Sequence, residues 1–111
     1  MRTAVAIAAI VMGMTIAPIA SAAGFTLALY QRLPGQAGFV VWTSGNAAKN
    51  AVIVNACGST MTTTAVTGWT TASGGYRALV QVDTSASTGQ PCVATLQHGG
   101  NSVASVSYIA P

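Results

Sequence analysis

The chain has 111 residues, of which 51% are hydrophobic and 5% charged; there are four Lys or Arg, one acid, one His and two Cys. One small domain fits that length and a second does not. A single carboxylate excludes paired-carboxylate hydrolysis and acid-rich calcium or magnesium cages, which need several converging oxygen anions, and two Cys with one His fall short of a four-ligand zinc site.

The N-terminus has the order of an export signal. Arg2 supplies the initial positive charge, residues 4–16 form an uncharged and largely apolar run, and Pro18 breaks it ahead of the small-residue stretch Ala20, Ser21, Ala22. An uncleaved membrane anchor is the competing reading, because a spanning helix needs about 20 apolar residues. The weak hydrophobicity of the alanine-rich run, Pro18 and the A-x-A site favour cleavage after Ala22. The chain is thus expected to be a secretory signal peptide, residues 1–22, followed by a single domain, residues 23–111, secreted or periplasmic and without stable membrane insertion after cleavage.

From Phe25 onward Val, Thr, Ile and aromatic residues dominate and turn signals recur at short intervals, the pattern of an all-β domain. A first strand over 25–32 alternates Phe25, Leu27 and Leu29 against Thr26, Ala28 and Tyr30. Leu33, Pro34, Gly35 and Gln36 fit a type II turn, with Pro second and Gly third. Strands over 38–44 and 51–57 carry the runs Val40, Val41, Trp42 and Ala51, Val52, Ile53, Val54, apolar on both faces, and are expected to be central or inserted between layers. The Thr-rich segment 59–67 has a weak apolar face and reads as a strand near solvent. In 76–82, Tyr76, Ala78, Val80 and Val82 share a face opposite Arg77, Leu79 and Gln81. A Ser/Thr/Gly loop over 83–90 leads to the strand 92–97. His98, Gly99, Gly100 and Asn101 resemble a two-residue hairpin turn into the last strand, 102–109.

Six to seven short strands fit a small antiparallel β-sandwich, immunoglobulin-like in architecture, better than a barrel with a ligand cavity. In an oxidising compartment Cys57 and Cys92 are expected to form one disulfide. Neither has a C-x-x-C partner or a cationic cluster in sequence to stabilise a reactive thiolate. Their strands are expected to face each other across the layers, with Trp42 or Trp69 packed near the bridge. Trp42, beside Val40 and Val41, is taken as a core residue.

Asp83 and His98 with a serine supply the residue types of a nucleophilic triad. If 76–83 and 92–98 pair as consecutive antiparallel strands, however, Asp83 and His98 lie roughly 20 Å apart, and there is no G-x-S-x-G elbow. His98 reads as a turn-flanking surface residue and Asp83 as a loop cap. After loss of Arg2 the charges are Arg32, Lys49 and Arg77 against Asp83, too sparse for a nucleic-acid groove. No catalytic residue, cofactor or metal is expected.

Trp69, Tyr76 and Arg77 are the candidate interaction surface, since a Trp and a Tyr flanking a glycine-containing loop can stack on a sugar ring or anchor a protein interface. The competing reading of Trp69 is that it closes one end of a thin core. The expected function is non-catalytic binding of an extracellular protein or a cell-surface polymer, with inhibition of an extracellular enzyme through the segment 67–75 as a specific version. The alternative is a self-assembling extracellular structural component, because the uncharged strands around Val40 and Val52 have high β-propensity.

Overall fold

The computed structural model describes residues 24–45 and 50–111. The expected signal peptide, residues 1–22, and Lys49 lie outside the described residues. Those described form eight strands: β1 (Phe25–Leu33), β2 (Gln36–Thr43), β3 (Val52–Cys57), β4 (Thr60–Ala65), β5 (Thr70–Ala72), β6 (Gly75–Asp83), β7 (Pro91–His98) and β8 (Asn101–Ile109). All neighbouring strands are antiparallel, in two four-stranded sheets of order β1-β2-β6-β5 and β4-β3-β7-β8.

Local chemistry sets the hairpins. Pro34 and Gly35, the latter at φ +76°, turn β1 into β2 with Leu33 opposite Gln36. Gly99 and Gly100, both at positive φ, close β7 onto β8 with His98 opposite Asn101, the paired left-handed geometry whose twist matches the flanking strands. The expected strands all form, with ends shifted by at most two residues. The eighth, β5, falls in a segment read as a loop; three residues are too few to show alternation, and only pairing with β6 makes them a strand.

Alternation builds the core. Phe25 and Leu27 of β1, Phe39 and Val41 of β2, and Ala78, Val80 and Val82 of β6 face Ile53 of β3, Ala94 and Leu96 of β7, and Val106 and Tyr108 of β8, all buried. The ring of Phe39 meets Tyr108 edge-on with centroids 5.4 Å apart, one of the favoured aromatic geometries. At one end the C-terminus ties the loops together. Gly35 donates its N–H to the Pro111 carbonyl, Thr84 donates to Gly35, and Ala110 donates to Gln90.

Cys57 and Cys92 do form a disulfide, but not across the layers. They are directly paired on β3 and β7 within the second sheet, on its inner face, with Cα atoms 4.2 Å apart. That spacing is the close, non-hydrogen-bonded position of an antiparallel ladder, where side chains approach most nearly. The expectation of a Trp beside the bridge also fails. Trp42 projects from the outer face of the first sheet, because Phe39 and Val41 take the inner positions of β2. Trp69 precedes β5 near the opposite end of β3 from Cys57. The aromatic residue paired with Cys92 is Tyr108.

A third correction concerns β6 and β7, which do not pair. Both edges of β6 are occupied by β2 and β5, and both edges of β7 by β3 and β8. The connection between them, with a 3-10 turn at Ser85–Ser87, therefore crosses from one sheet to the other.

Candidate functional site

The outer face of the first sheet gathers the side chains best suited to contact a partner. Across the strands, Thr26, Trp42, Arg77 and Thr70 are successive register partners, and Ala28, Val40 and Leu79 form the next row. Trp42 and Val40 are half-buried, Arg77 is exposed, and Leu79 is 54% exposed. Beyond them lies Gly38, where an added Cβ would sit 3.0 Å from the ring of Tyr30. Tyr30 thus crosses the strand in the space that glycine leaves. Gln81 reaches it from the other side, donating from Nε2 to the Tyr30 hydroxyl at 3.2 Å and to Gln31 Oε1 at 3.0 Å. Trp42 and Gly38 lie four residues apart on β2, so the backbone position of Trp42 and the one that the Tyr30 ring crosses are roughly 13 Å apart along the strand.

The three residues singled out from sequence do not share one surface. Arg77 points outward beside Trp42. Tyr76, its neighbour in β6, lies on the opposite face, in line with Ala78 and Val80, and is half-buried. Trp69 is likewise half-buried and packs against the core, with its indole N–H buried and without a hydrogen-bond partner among the described residues. The segment 67–75 is no free loop either, since Thr70, Thr71 and Ala72 pair with Arg77, Tyr76 and Gly75. The residues that sequence reasoning passed over are Trp42 and Tyr30. Val40, Val41 and Trp42 are apolar in succession and give no parity signal; once Phe39 and Val41 are buried, alternation turns Trp42 outward.

Asp83 and His98 stand at opposite ends of the sandwich. Asp83 pairs with Gln36, at the start of β2. The imidazole of His98 packs 5.1 Å from the ring of Phe25, whose register partner is Thr43 at the far end of β2. The separation is roughly 20 Å at the usual strand rise, so these two groups cannot act on one reacting atom. Asp83 instead caps the 3-10 turn. Its Oδ1 accepts from the Ser85 backbone N–H at 2.9 Å and from the Ser85 hydroxyl at 2.7 Å, and these bonds hold the carboxyl below its ordinary pKa.

A concavity of about 300 Å³ lies between β4 and the crossing segment after β6. Its lining is hydroxyl-rich, with Thr60, Thr62 and Thr64 of β4 facing Thr84 and Ser87. The Thr84 hydroxyl is buried and lacks a hydrogen-bond partner among the described residues. Asn55 at the base is already engaged, accepting from the Tyr108 hydroxyl at 2.6 Å and donating to Cys57 Sγ at 3.3 Å. Burial of Tyr108 raises its pKa, against the opposing influence of the Asn55 hydrogen bond and of Arg32. Asp83 also lines the groove, and its Oδ1 is taken up by the Ser85 N–H and hydroxyl, so the lining presents mainly threonine and serine hydroxyls for hydrogen bonding.

No protein-family model, curated protein or solved structure matches the chain.

Proposed function

We propose that the protein is a small exported, non-catalytic binding protein that recognises a cell-surface polymer of polysaccharide chemistry through the outer face of β1, β2 and β6. The observation that carries this reading is the presence of two aromatic side chains, Trp42 and Tyr30, on one sheet face that no other strand among the described residues covers. The amides of Gln31 and Gln81 and the guanidinium of Arg77 lie among them. Aromatic faces stack on the C–H faces of sugar rings, and amides and guanidinium supply hydrogen bonds to hydroxyls. Strand positions roughly 13 Å apart are further than one monosaccharide spans and suit an extended chain. Export is supported by the N-terminal sequence pattern and by the disulfide, which persists in oxidising compartments.

The strand orders also support an immunoglobulin-like arrangement, with β1-β2-β6-β5 in the places of strands A, B, E and D, and β4-β3-β7-β8 in those of C′, C, F and G. The bridge departs from that pattern by joining the C and F positions. A second reading, a self-assembling extracellular component, draws on the outer face of the other sheet, where Met61, Val93 and Ile109 are exposed. No Lys, Arg, Asp or Glu lies on β3, β4, β7 or β8.

The test is co-sedimentation of the oxidised chain with the insoluble cell-wall polysaccharide fraction, comparing the parent with Trp42→Ala and Trp69→Ala. Trp42→Ala is expected to weaken capture at least tenfold with little change in melting temperature. Capture unaffected by Trp42→Ala, or lost only with Trp69→Ala, refutes the assignment of this face.

A further inference from the structure

The four sheet edges are not equivalent, and one is left open. β1 carries a register irregularity between Leu29 and Gln31, ends with Arg32 exposed, and packs against β8. The edges β1 and β8 thus close one side of the sandwich together. β5 has only three residues. β4 has six, Thr60, Met61, Thr62, Thr63, Thr64 and Ala65, paired with β3 in unbroken register and lacking any charge, proline or bulge. Bulges, charges, prolines and short length are the devices that keep edge strands from pairing with another chain. Among the described residues, no hydrogen bond joins the outer side of β4 to any other segment.

The register says which groups are unpaired. Cys57 and Cys92 occupy a non-hydrogen-bonded position between β3 and β7, so the Cys57 backbone groups turn toward β4 and its pair with Thr60 is hydrogen-bonded. The bond from Val66 N–H to the Ala51 carbonyl continues the same parity. Thr60, Thr62 and Thr64 therefore bond to β3, while Met61, Thr63 and Ala65 direct their N–H and C=O groups outward. These three positions are centred on Thr63.

We infer that β4 pairs with β4 of a second copy, antiparallel about a two-fold axis at Thr63, to form a closed dimer with a continuous eight-stranded sheet. In that register Thr63 meets Thr63 of the copy, and Met61 meets Ala65 in both directions. Every outward N–H and C=O of the three residues finds a partner. The side chains are self-complementary as well: Met61, 68% exposed, lies over the small Ala65 of the copy. A two-fold axis brings each residue near its own equivalent, so any charge near it would meet a like charge; the sequence from Cys57 to Gly75 contains none. This isologous contact closes at two copies, whereas a fibre needs two unlike surfaces. The inference does not depend on the polymer-binding reading, because the face of β1, β2 and β6 takes no part in it.

Sedimentation equilibrium of the oxidised full chain, from micromolar to millimolar concentration, tests it together with amide hydrogen exchange. The parent is expected to pass from one copy to two and to stop there, with the Met61, Thr63 and Ala65 amides becoming protected as the dimer fills. Thr63→Lys places two ammonium groups on adjacent positions at the axis and is expected to weaken association at least tenfold while leaving the circular dichroism spectrum intact. Ser107→Lys, on the same outer face but on β8, is expected to leave it unchanged. A parent that stays monomeric at millimolar concentration overturns the inference, as does growth into open assemblies. Association that survives Thr63→Lys, or that Ser107→Lys weakens equally, also overturns it, since the contact would then lie elsewhere or use the face of the sheet instead of its edge.

Discussion

Replacing both bridge residues, Cys57→Ala with Cys92→Ala, isolates what the disulfide contributes beyond the ladder it joins. The two residues are 35 positions apart, and closing a loop of that length removes unfolded-state entropy worth about 4 kcal/mol at 25 °C. The native state loses much less, because β3 and β7 remain paired along six residues, from Val52 opposite Gln97 to Cys57 opposite Cys92. Small domains have roughly 5–15 kcal/mol in total, so the variant should retain a native circular dichroism spectrum in buffer but only a small margin of stability. With a urea dependence near about 1 kcal/mol per molar, usual for a domain of this size, the unfolding midpoint should fall by roughly 3–4 M. The slope should rise slightly, since the unbridged denatured chain exposes more surface. A midpoint shift below about 1 M would refute the entropic account. A native spectrum lost even in stabilising osmolyte would show that the bridge, and not the ladder, sets the register of β3 on β7.

The remaining predictions concern the buried polar pair and the closest backbone approach. Tyr108 has its pKa raised by burial; the folded state therefore holds the proton to higher pH than the unfolded chain, and the associated stability is full below about pH 10 and lost as pH rises through the folded value. Alkaline unfolding monitored by circular dichroism should show this loss, and Tyr108→Phe should remove it. At neutral pH Tyr108→Phe should also cost about 1–3 kcal/mol in urea unfolding, because the Asn55 carbonyl oxygen is left buried without its donor; a variant as stable as the parent would refute this. Gly75→Ala should destabilise by at least about 3 kcal/mol, since the added Cβ would lie against the Thr43 carbonyl oxygen, a backbone atom that cannot swing away. Gly74→Ala, one position earlier, has open space around it and bears only the strain of its left-handed backbone at φ +76°, about 1–2 kcal/mol, and equal effects on melting temperature would count against the steric account.

What the sequence determined by itself was local. Period-two alternation assigned Tyr76, Ala78, Val80 and Val82 to one face and Arg77, Leu79 and Gln81 to the other, and the structure has them so. Pro34 with Gly35, and Gly99 with Gly100, specified two hairpins through backbone angles that few other residues adopt, and the paired cysteines specified a disulfide. Which strand lies beside which was decided only by the tertiary structure, because burying a face against another sheet leaves the order of strands open. The spacing of Cys57 and Cys92 suits a bridge within a sheet or between layers equally well; β7 pairing with β3 settled it. The same holds for Trp42. A run of three apolar residues hides the parity of β2, and only the opposing layer, by accepting Phe39 and Val41, turned the indole outward beside Arg77 and made that sheet face the candidate site. The open edge of β4 was equally invisible, since an edge exists only once the neighbours of every other strand are known.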